Sequence, residues 1–289
     1  MIFKRKHSSK LQYRSRAGNY LIFIVLLVFG IYSLLPLVIS VNQAFKPMSE
    51  LYVFPPKIFV QNPTLANFKT LFSLLADSFV PFSRYLFNTL FESLVGTVGY
   101  ILIAAMAAFP LAKYPDMPGG KLISDIIMYS LMISPAVADV ANFQTVSSMG
   151  MTDTYWSILL PTFGKSFGFY LMRQFMVQLP DALIEAAKVD GASDFTVFRK
   201  VIMPLVKPAW LTLAIFTFQD LWNGTNSTYI FSEQMKNLPT ALNQISSGGI
   251  ARAGASACVV VIMMVIPIAF FLVSQNSIME TMATSGIKE

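Results

Sequence analysis

The sequence predicts an all-α integral membrane protein of about six transmembrane helices, and three observations carry that prediction. Of 289 residues, 55% are hydrophobic and only 12% are charged, whereas average soluble domains run near ~25% charged. Mean hydropathy is +0.59, which leaves too little polar side chain to cover a soluble body of this size. Apolar stretches of about 20 residues, long enough to cross a hydrocarbon core as helix, recur between short polar segments. Lys and Arg are divided unequally between alternate segments, as in membrane proteins of fixed orientation. The same composition excludes other classes. With 25 Phe and 16 Met the chain is not a disordered one, 15 Gly are too few for a collagen repeat, and one Cys cannot build a disulfide scaffold. That residue, Cys258, lies in an apolar run and reads as a small buried hydrophobe. The only histidine, His7, lies in the N-terminal tail, which leaves no material for a His-based metal site or a Ser–His relay.

Residues 1–19 carry Lys4, Arg5, Lys6, Lys10, Arg14 and Arg16 and no acid. They read as a cytoplasmic basic tail that sets topology, not as a nucleic-acid arm. Residues 20–41 are almost unbroken apolar sequence, too long for a signal-peptide core and without a small-residue cleavage site, so they read as the first span. Residues 42–87 mix charges with five prolines and form an external loop. The second span is 88–112, where Ala104, Ala108 and Ala112 recur every four residues and permit close helix packing. A turn-forming loop, KYPDMPGGK, separates it from the third span at 122–146, which Pro135 interrupts. After a short loop at 147–154, the fourth span, 155–177, holds Pro161. Residues 178–207 are polar and bounded by Pro180 and Pro208. The fifth span runs from 208 to 222, residues 223–254 form an external Gly/Ser/Asn-rich loop, and 255–274 is the sixth span. The layout is therefore a basic tail (1–19), a six-helix membrane domain (20–275) and a cytoplasmic tail (276–289). With the N-terminus inside, inner segments hold 14 cations and outer segments 6, and Lys165 within the fourth span completes the 21. This bias puts both termini in the cytoplasm.

The 178–207 segment has a pattern of its own. Leu179-Pro180-Asp181 reads as a helix start with Asp181 as N-cap. Residues 182–189 favour helix, and Asp190-Gly191 reads as a turn with Gly191 left-handed. Phe195, Phe198 and Ile202 fall at helical spacing on one side of a second short helix, which Pro204 ends. Ala182, Ala186 and Ala187 leave a low-relief surface that a partner can approach closely. Within this segment Glu185-Ala186-Ala187, then Gly191, then Val201-Ile202-Met203-Pro204 resemble the EAA signature of bacterial ABC importer permeases. The fuller text EAAKVDGASDFTVFRKVIMPLVKP resembles the carbohydrate-uptake, MalG-like branch. Val201 and Met203 replace the usual Ile and Leu conservatively. Similarity extends to residues 169–175 and to Trp222-Asn223, while the C-terminal tail departs from the family's glycine-ended form.

The resemblance implies a type I importer permease fold. In that family this loop forms a cytoplasmic coupling helix that docks on a separate ATP-binding subunit, a role that falls here to Glu185, Ala186, Ala187, Asp190, Gly191 and Pro204. It implies a second permease subunit, two ATP-binding subunits that hold ATP and Mg, an extracytoplasmic solute-binding protein, and a carbohydrate substrate moved by alternating access. It also implies that the tip Ser246, Ser247, Gly248 and Gly249 of the outer loop contacts the binding protein. A polyol or glycerol-phosphate-type solute on the same architecture is the alternative. A secondary transporter without a motor is more distant, because it has no use for an EAA loop.

No catalytic constellation competes with this reading, so the chain reads as no enzyme. Gly119-Gly120-Lys121 lacks the spacing of a phosphate loop. Gly164-Lys165-Ser166-Phe167-Gly168 matches a nucleophile-elbow pattern but lies inside a span, where small residues serve helix packing. Charge within spans is costly and usually faces a cavity or a partner. Asp139 and Lys165 fall near the middles of the third and fourth spans, and a pair between them is geometrically open. Gln219, Asp220, Trp222 and Asn223 combine an aromatic face with planar hydrogen-bonding groups, as sugar sites do. These six residues are the candidate substrate pathway. Glu92 and Asp125 lie near span ends and read as structural. Asn223-Gly224-Thr225 and Asn226-Ser227-Thr228 are glycosylation sequons, which a bacterial protein would leave unused.

Overall fold

The computed structural model describes residues 16–76, 80–114, 116–249 and 252–285. The cations Lys4, Arg5, Lys6, Lys10 and Arg14, His7, and residues 286–289 of the C-terminal tail lie outside the described residues. Every regular element among the described residues is a helix.

The first span is α1, Arg16–Phe45. Its apolar side chains are exposed along almost the whole helix, and only the end near Ala44 is covered by the rest of the chain. The loop that follows carries α2, Met48–Leu51, and α3, Ala66–Ala76. Asn67 of α3 donates to the carbonyls of Ala44 (3.0 Å) and Lys46 (2.7 Å), which satisfies carbonyls left open where α1 ends. The second span is α4, Phe82–Lys113, the central helix of the bundle. Ala104, Ala105 and Ala108 are buried, so α4 packs closely on its neighbours as the four-residue alanine spacing predicts.

The third and fourth spans are each two helices. The third is α5, Gly120–Ser130, and α6, Pro135–Ser148, with Pro135 at the start of α6 where its missing N–H costs nothing. The fourth is α7, Trp156–Phe163, and α8, Ser166–Val177. Its break at Gly164-Lys165 is absent from the sequence expectation. The 178–207 segment folds as α9, Ala182–Val189; α10, Asp194–Val197; a π-helical turn, Phe198–Ile202; and α11, Met203–Leu205. Then comes α12, Lys207–Asn223, bent by 77° from the helix before it. The 223–254 loop contains α13, Leu238–Ser246, and the last span is α14, Ala253–Ser285. Among the described residues three helices, α1, α4 and α14, are long and apolar enough to cross a membrane, and a fourth span is reached if the bent pair counts as one. The other apolar stretches are interrupted ones.

Three local expectations change. Pro204 does not end its helix. The π turn ahead of it routes the Met203 N–H to the Phe198 carbonyl, and the helix continues to Leu205. Asp181 stands at the N-cap of α9, but its side chain makes no cap bond; it pairs with Lys113 instead. Ser193, not singled out from sequence, caps α10 by accepting from the Thr196 N–H at 3.3 Å. The 223–254 loop is also less open than its composition suggests. Asn237 caps α13 by accepting from the Thr240 N–H (3.1 Å), and Leu238, Ala241, Leu242 and Ile245 lie buried on one helical face.

Two apolar cores result, one toward each end of α4. One joins Ala105, Ala108 and Phe109 to Met172, Ile184 and Ile202. The other joins Leu71 and Tyr85 to Leu238, Leu242 and Cys258. Cys258 is fully buried, its Sγ 3.6 Å from the Ala44 carbonyl.

Candidate functional site

The 178–207 loop is held to one end of α4 through long-range contacts. Lys113, the last residue of α4, donates to Asp181 at 2.7 Å and also to the Leu179 carbonyl. The next residue, Tyr114, donates to Asp194 at 2.7 Å. Lys188 of α9 reaches Asp194 at 3.2 Å and stands 4.9 Å from the Tyr114 ring centre. The Tyr114 hydrogen bond, then Lys188, holds the Asp194 carboxyl below its usual range. Ile184, Val197, Phe198 and Ile202 bury the inner faces of α9 and the helix after it.

What this leaves outside is a continuous face. Ala182, Glu185, Ala186, Val189 and Asp190 are exposed, Val189 at 88%, while Ala187 is half-buried. Gly191 closes the bend with φ +80°, a conformation that disfavours any side chain, and a Cβ there would meet nothing within 4 Å. Pro204 is exposed. The exposed apolar and small residues, with the carboxylates of Glu185 and Asp190 among them, form a surface suited to a protein partner.

The intramembrane charges pair differently from the Asp139–Lys165 arrangement the sequence left open. Lys165, at the break between α7 and α8, forms its ion pair with Asp220 of α12. Both side chains are half exposed. Gln219 is half-buried and Asn223 exposed, one turn apart on α12, and the Asn223 amide donates to the Gln219 carbonyl at 2.9 Å. Asp139 is exposed on α6. It lies near Tyr229, whose hydroxyl is pushed up by burial and then by the Asp139 charge. Trp222 is a correction. Its ring is fully buried, stacked on Phe218, and its Nε1 donates to the Met263 carbonyl at 2.9 Å, so it offers no face to a sugar. The physical reason is helical phase: Trp222 falls on the side of α12 that packs against α14.

The break at Lys165 is sealed by Tyr100 of α4. Its hydroxyl donates to the Lys165 carbonyl at 2.9 Å and accepts from the Gly168 N–H. A Cβ at Gly168 would lie 2.6 Å from that ring, so only glycine lets α8 come this close. Ser130 and Ser166 bond to each other beside the break. The small residues of the elbow-like motif therefore serve packing and backbone satisfaction.

At the opposite end of α4, the tip residues Ser247, Gly248 and Gly249 are exposed and Ser246 half-buried. The short 147–154 loop is tied to the same region: Asp153, at φ +60°, accepts from the N–H groups of Phe231 (3.0 Å) and Ser232 (2.9 Å). Asn226, read from sequence as a sequon, is 1% exposed and out of reach of modification. Sequence reasoning did not find the roles of Lys113, Tyr114 or Tyr100, because their partners lie 65 to 80 residues away.

A helical membrane bundle with broken spans, an exposed EAA loop and an ion pair between spans defines a membrane transport subunit. The chain belongs to the family of binding-protein-dependent transport system inner membrane components, whose profile matches residues 13–281. Among its relatives, LplC of Bacillus subtilis (strain 168) is 31% identical over 194 residues, 67% of this chain and 63% of LplC, so the match spans less than two thirds of that relative. The polygalacturonan/rhamnogalacturonan transport system permease protein YtcP of the same organism is 27% identical over 230 residues, 78% of this chain and 76% of YtcP. In structure, the chain is similar to a bacterial ABC transporter involved in the import of the acidic polysaccharide alginate. That match has TM-score 0.76 and 20% identity, and it covers 91% of this chain and 98% of the other.

Proposed function

We propose that this chain is a permease subunit of an ATP-driven, binding-protein-dependent importer that carries a sugar or oligosaccharide across the cytoplasmic membrane by alternating access. The observation that carries the reading is the exposed face of α9 around Glu185, fastened to α4 through Lys113 and Tyr114. A loop that docks a motor needs a bare outer face and a stiff connection to the spans. In this reading the 178–207 end is cytoplasmic, the 223–254 end is external, and both termini are cytoplasmic. A second permease subunit completes the pathway. Two ATP-binding subunits hold ATP and Mg and do the hydrolysis, and an extracytoplasmic binding protein delivers the solute. Lys165, Asp220, Gln219 and Asn223, with Asp139 beyond them, line the route. An acidic oligosaccharide is the first substrate to test, because YtcP, among the relatives above, is named for polygalacturonan and rhamnogalacturonan.

The test is copurification of the complex with identification of the bound saccharide, followed by Glu185→Lys and Gly191→Pro. Proline cannot adopt the φ of +80° found at Gly191. The expected result is loss of uptake through weakened ATPase binding or uncoupled hydrolysis. Wild-type uptake with both changes present overturns the assignment.

A further inference from the structure

Glu92 is a buried carboxylate, 1% exposed, that neither the ion pair nor the docking loop uses. It lies in α4, toward the end opposite Lys113. Among the described residues its hydrogen-bond donors are two amides and no cation: Asn226 Nδ2 donates to one oxygen at 2.9 Å and Asn237 Nδ2 to the other at 3.0 Å. Burying a carboxylate without a countercharge is costly, so the pattern of its two acceptors dictates what sits against it. Both donors belong to the 223–254 loop, and each holds further backbone. Asn226 Nδ2 also reaches the Met235 carbonyl (3.1 Å), and Asn237 Nδ2 the Gly224 carbonyl (2.9 Å). Around them, Asn88 donates to the carbonyls of Gln234 (2.9 Å) and Lys236 (2.8 Å), and the Leu238 N–H donates to Thr89 at 2.7 Å.

Asn237 is also the N-cap of α13. That helix runs from Leu238 to Ser246, about 13 Å, and ends at the exposed Ser247-Gly248-Gly249 tip. The carboxylate therefore grips α13 at its root, and a shift at the root is carried along the helix to the tip. We propose that Glu92 is the positioning residue of this loop: through Asn226 and Asn237 it sets the seat of α13 and so presents the tip to the binding protein. This rests on the reading that 223–254 faces the binding protein and that 178–207 docks the ATPase. It makes α4 a strut, fastened to the docking loop at one end and to the tip-bearing helix at the other.

The test uses the reconstituted complex with its ATP-binding subunits and binding protein. Basal ATPase reports the docking reading, and the binding-protein concentration that half-saturates its stimulation reports the proposal. Glu92→Gln places an amide donor against an amide donor. It should raise the half-saturating concentration about tenfold while assembly and basal rate stay near wild type. Adding Asn237→Asp restores a donor–acceptor match with the new amide and keeps an N-cap, and should recover part of the loss, the remainder reflecting the lost donor to the Gly224 carbonyl. An unchanged half-saturating concentration in an assembled Glu92→Gln complex overturns the proposal. So does a proportional fall of basal and stimulated rates that the second change does not rescue, since that is plain loss of folded protein. A second measurement does not depend on Glu92 variants. Arg84 Nε lies 3.2 Å from the Gln234 carbonyl, and both residues are exposed. A short thiol crosslink between Arg84→Cys and Gln234→Cys, in a Cys258→Ser background, should leave transport intact if strut and loop move together, and its abolition by the crosslink overturns the idea. A wild-type complex that recruits no ATP-binding subunit overturns the underlying reading, and the proposal with it.

Discussion

A lysine inside an apolar stretch is tolerated when something takes its charge, and here that partner is Asp220, 55 residues further on. Removing one member of such a pair leaves an uncompensated charge, whereas removing both leaves none. Lys165→Met alone and Asp220→Leu alone should therefore lower the yield of folded complex more than the double change does. If the pair also lines the route, the double variant should assemble yet import about tenfold more slowly. Size-exclusion profiles and uptake rates on the same preparations separate the two effects, and normal uptake by the double variant removes the pair from the pathway. At the opposite surface the charges behave simply. The Asp194 carboxyl is held below its usual value by Tyr114 and then Lys188. A depressed carboxylate contributes fully above its unfolded value of ~3.9 and loses that contribution as pH falls through the folded value. Hydrogen exchange across 182–203 should accordingly be flat, after correction for intrinsic rates, from about pH 8 to about pH 5 and rise only in stronger acid. A rise near neutrality would place the fastening elsewhere. Gly191 is the residue at which sequence alone sufficed, because a left-handed bend after a short helix asks for glycine, and φ there is +80°.

Elements were legible where their cause is local. Apolar runs of span length became α1, α4 and α14, and Pro135 marked a real interruption because proline has no N–H to give. The break at Gly164-Lys165 left no such mark. It depends on Tyr100, from another span, whose hydroxyl accepts from the Gly168 N–H that the broken helix leaves open and donates to the Lys165 carbonyl. Nothing near residue 164 encodes that. The π turn at Phe198–Ile202 was hidden for a related reason, since proline reads as a stop until the preceding turn widens to admit it. The face of α13 was in the sequence as Leu238, Ala241, Leu242 and Ile245, but glycine and serine around it suggested a loop. Of the candidate site, the exposed face of α9 was readable because one short motif contains it, whereas the pairing of Lys165 and the burial of Trp222 depend on how α12 is rotated against its neighbours. The seal at the break gives a prediction of its own. Tyr100→Phe removes the hydroxyl and leaves the buried Gly168 N–H unpaired, a cost of about 1–3 kcal/mol. The detergent-solubilised protein should melt earlier, and Gly168→Ala, which forces a methyl into the same ring, should do the same. An unchanged melting temperature in both variants would mean that water or lipid headgroups satisfy the break equally well.

For the whole molecule, α4 holds both loops through side-chain hydrogen bonds, Lys113 and Tyr114 binding the 178–207 segment and Asn88, Thr89 and Glu92 binding the 223–254 loop. The two apolar cores lie around its two ends, so each loop is anchored in its own packed cluster and one helix of 32 residues joins them, about 48 Å long. That exceeds the ~30 Å hydrocarbon thickness, and the excess puts the two loops on opposite sides of any membrane that α4 crosses. The topology prediction follows from this length together with the charge bias of the sequence. Single cysteines at Val189 and Ser247, both exposed, should label oppositely with an impermeant thiol reagent added to intact cells. Ser247→Cys should react from outside, and Val189→Cys only after the membrane is opened. The background Cys258→Ser is a mild change, because the thiol is buried and its contact with the Ala44 carbonyl suits a hydroxyl. Labelling of both positions from outside would mean that α4 does not cross, and with it would fall the strut, the docking face and the assignment of the two ends.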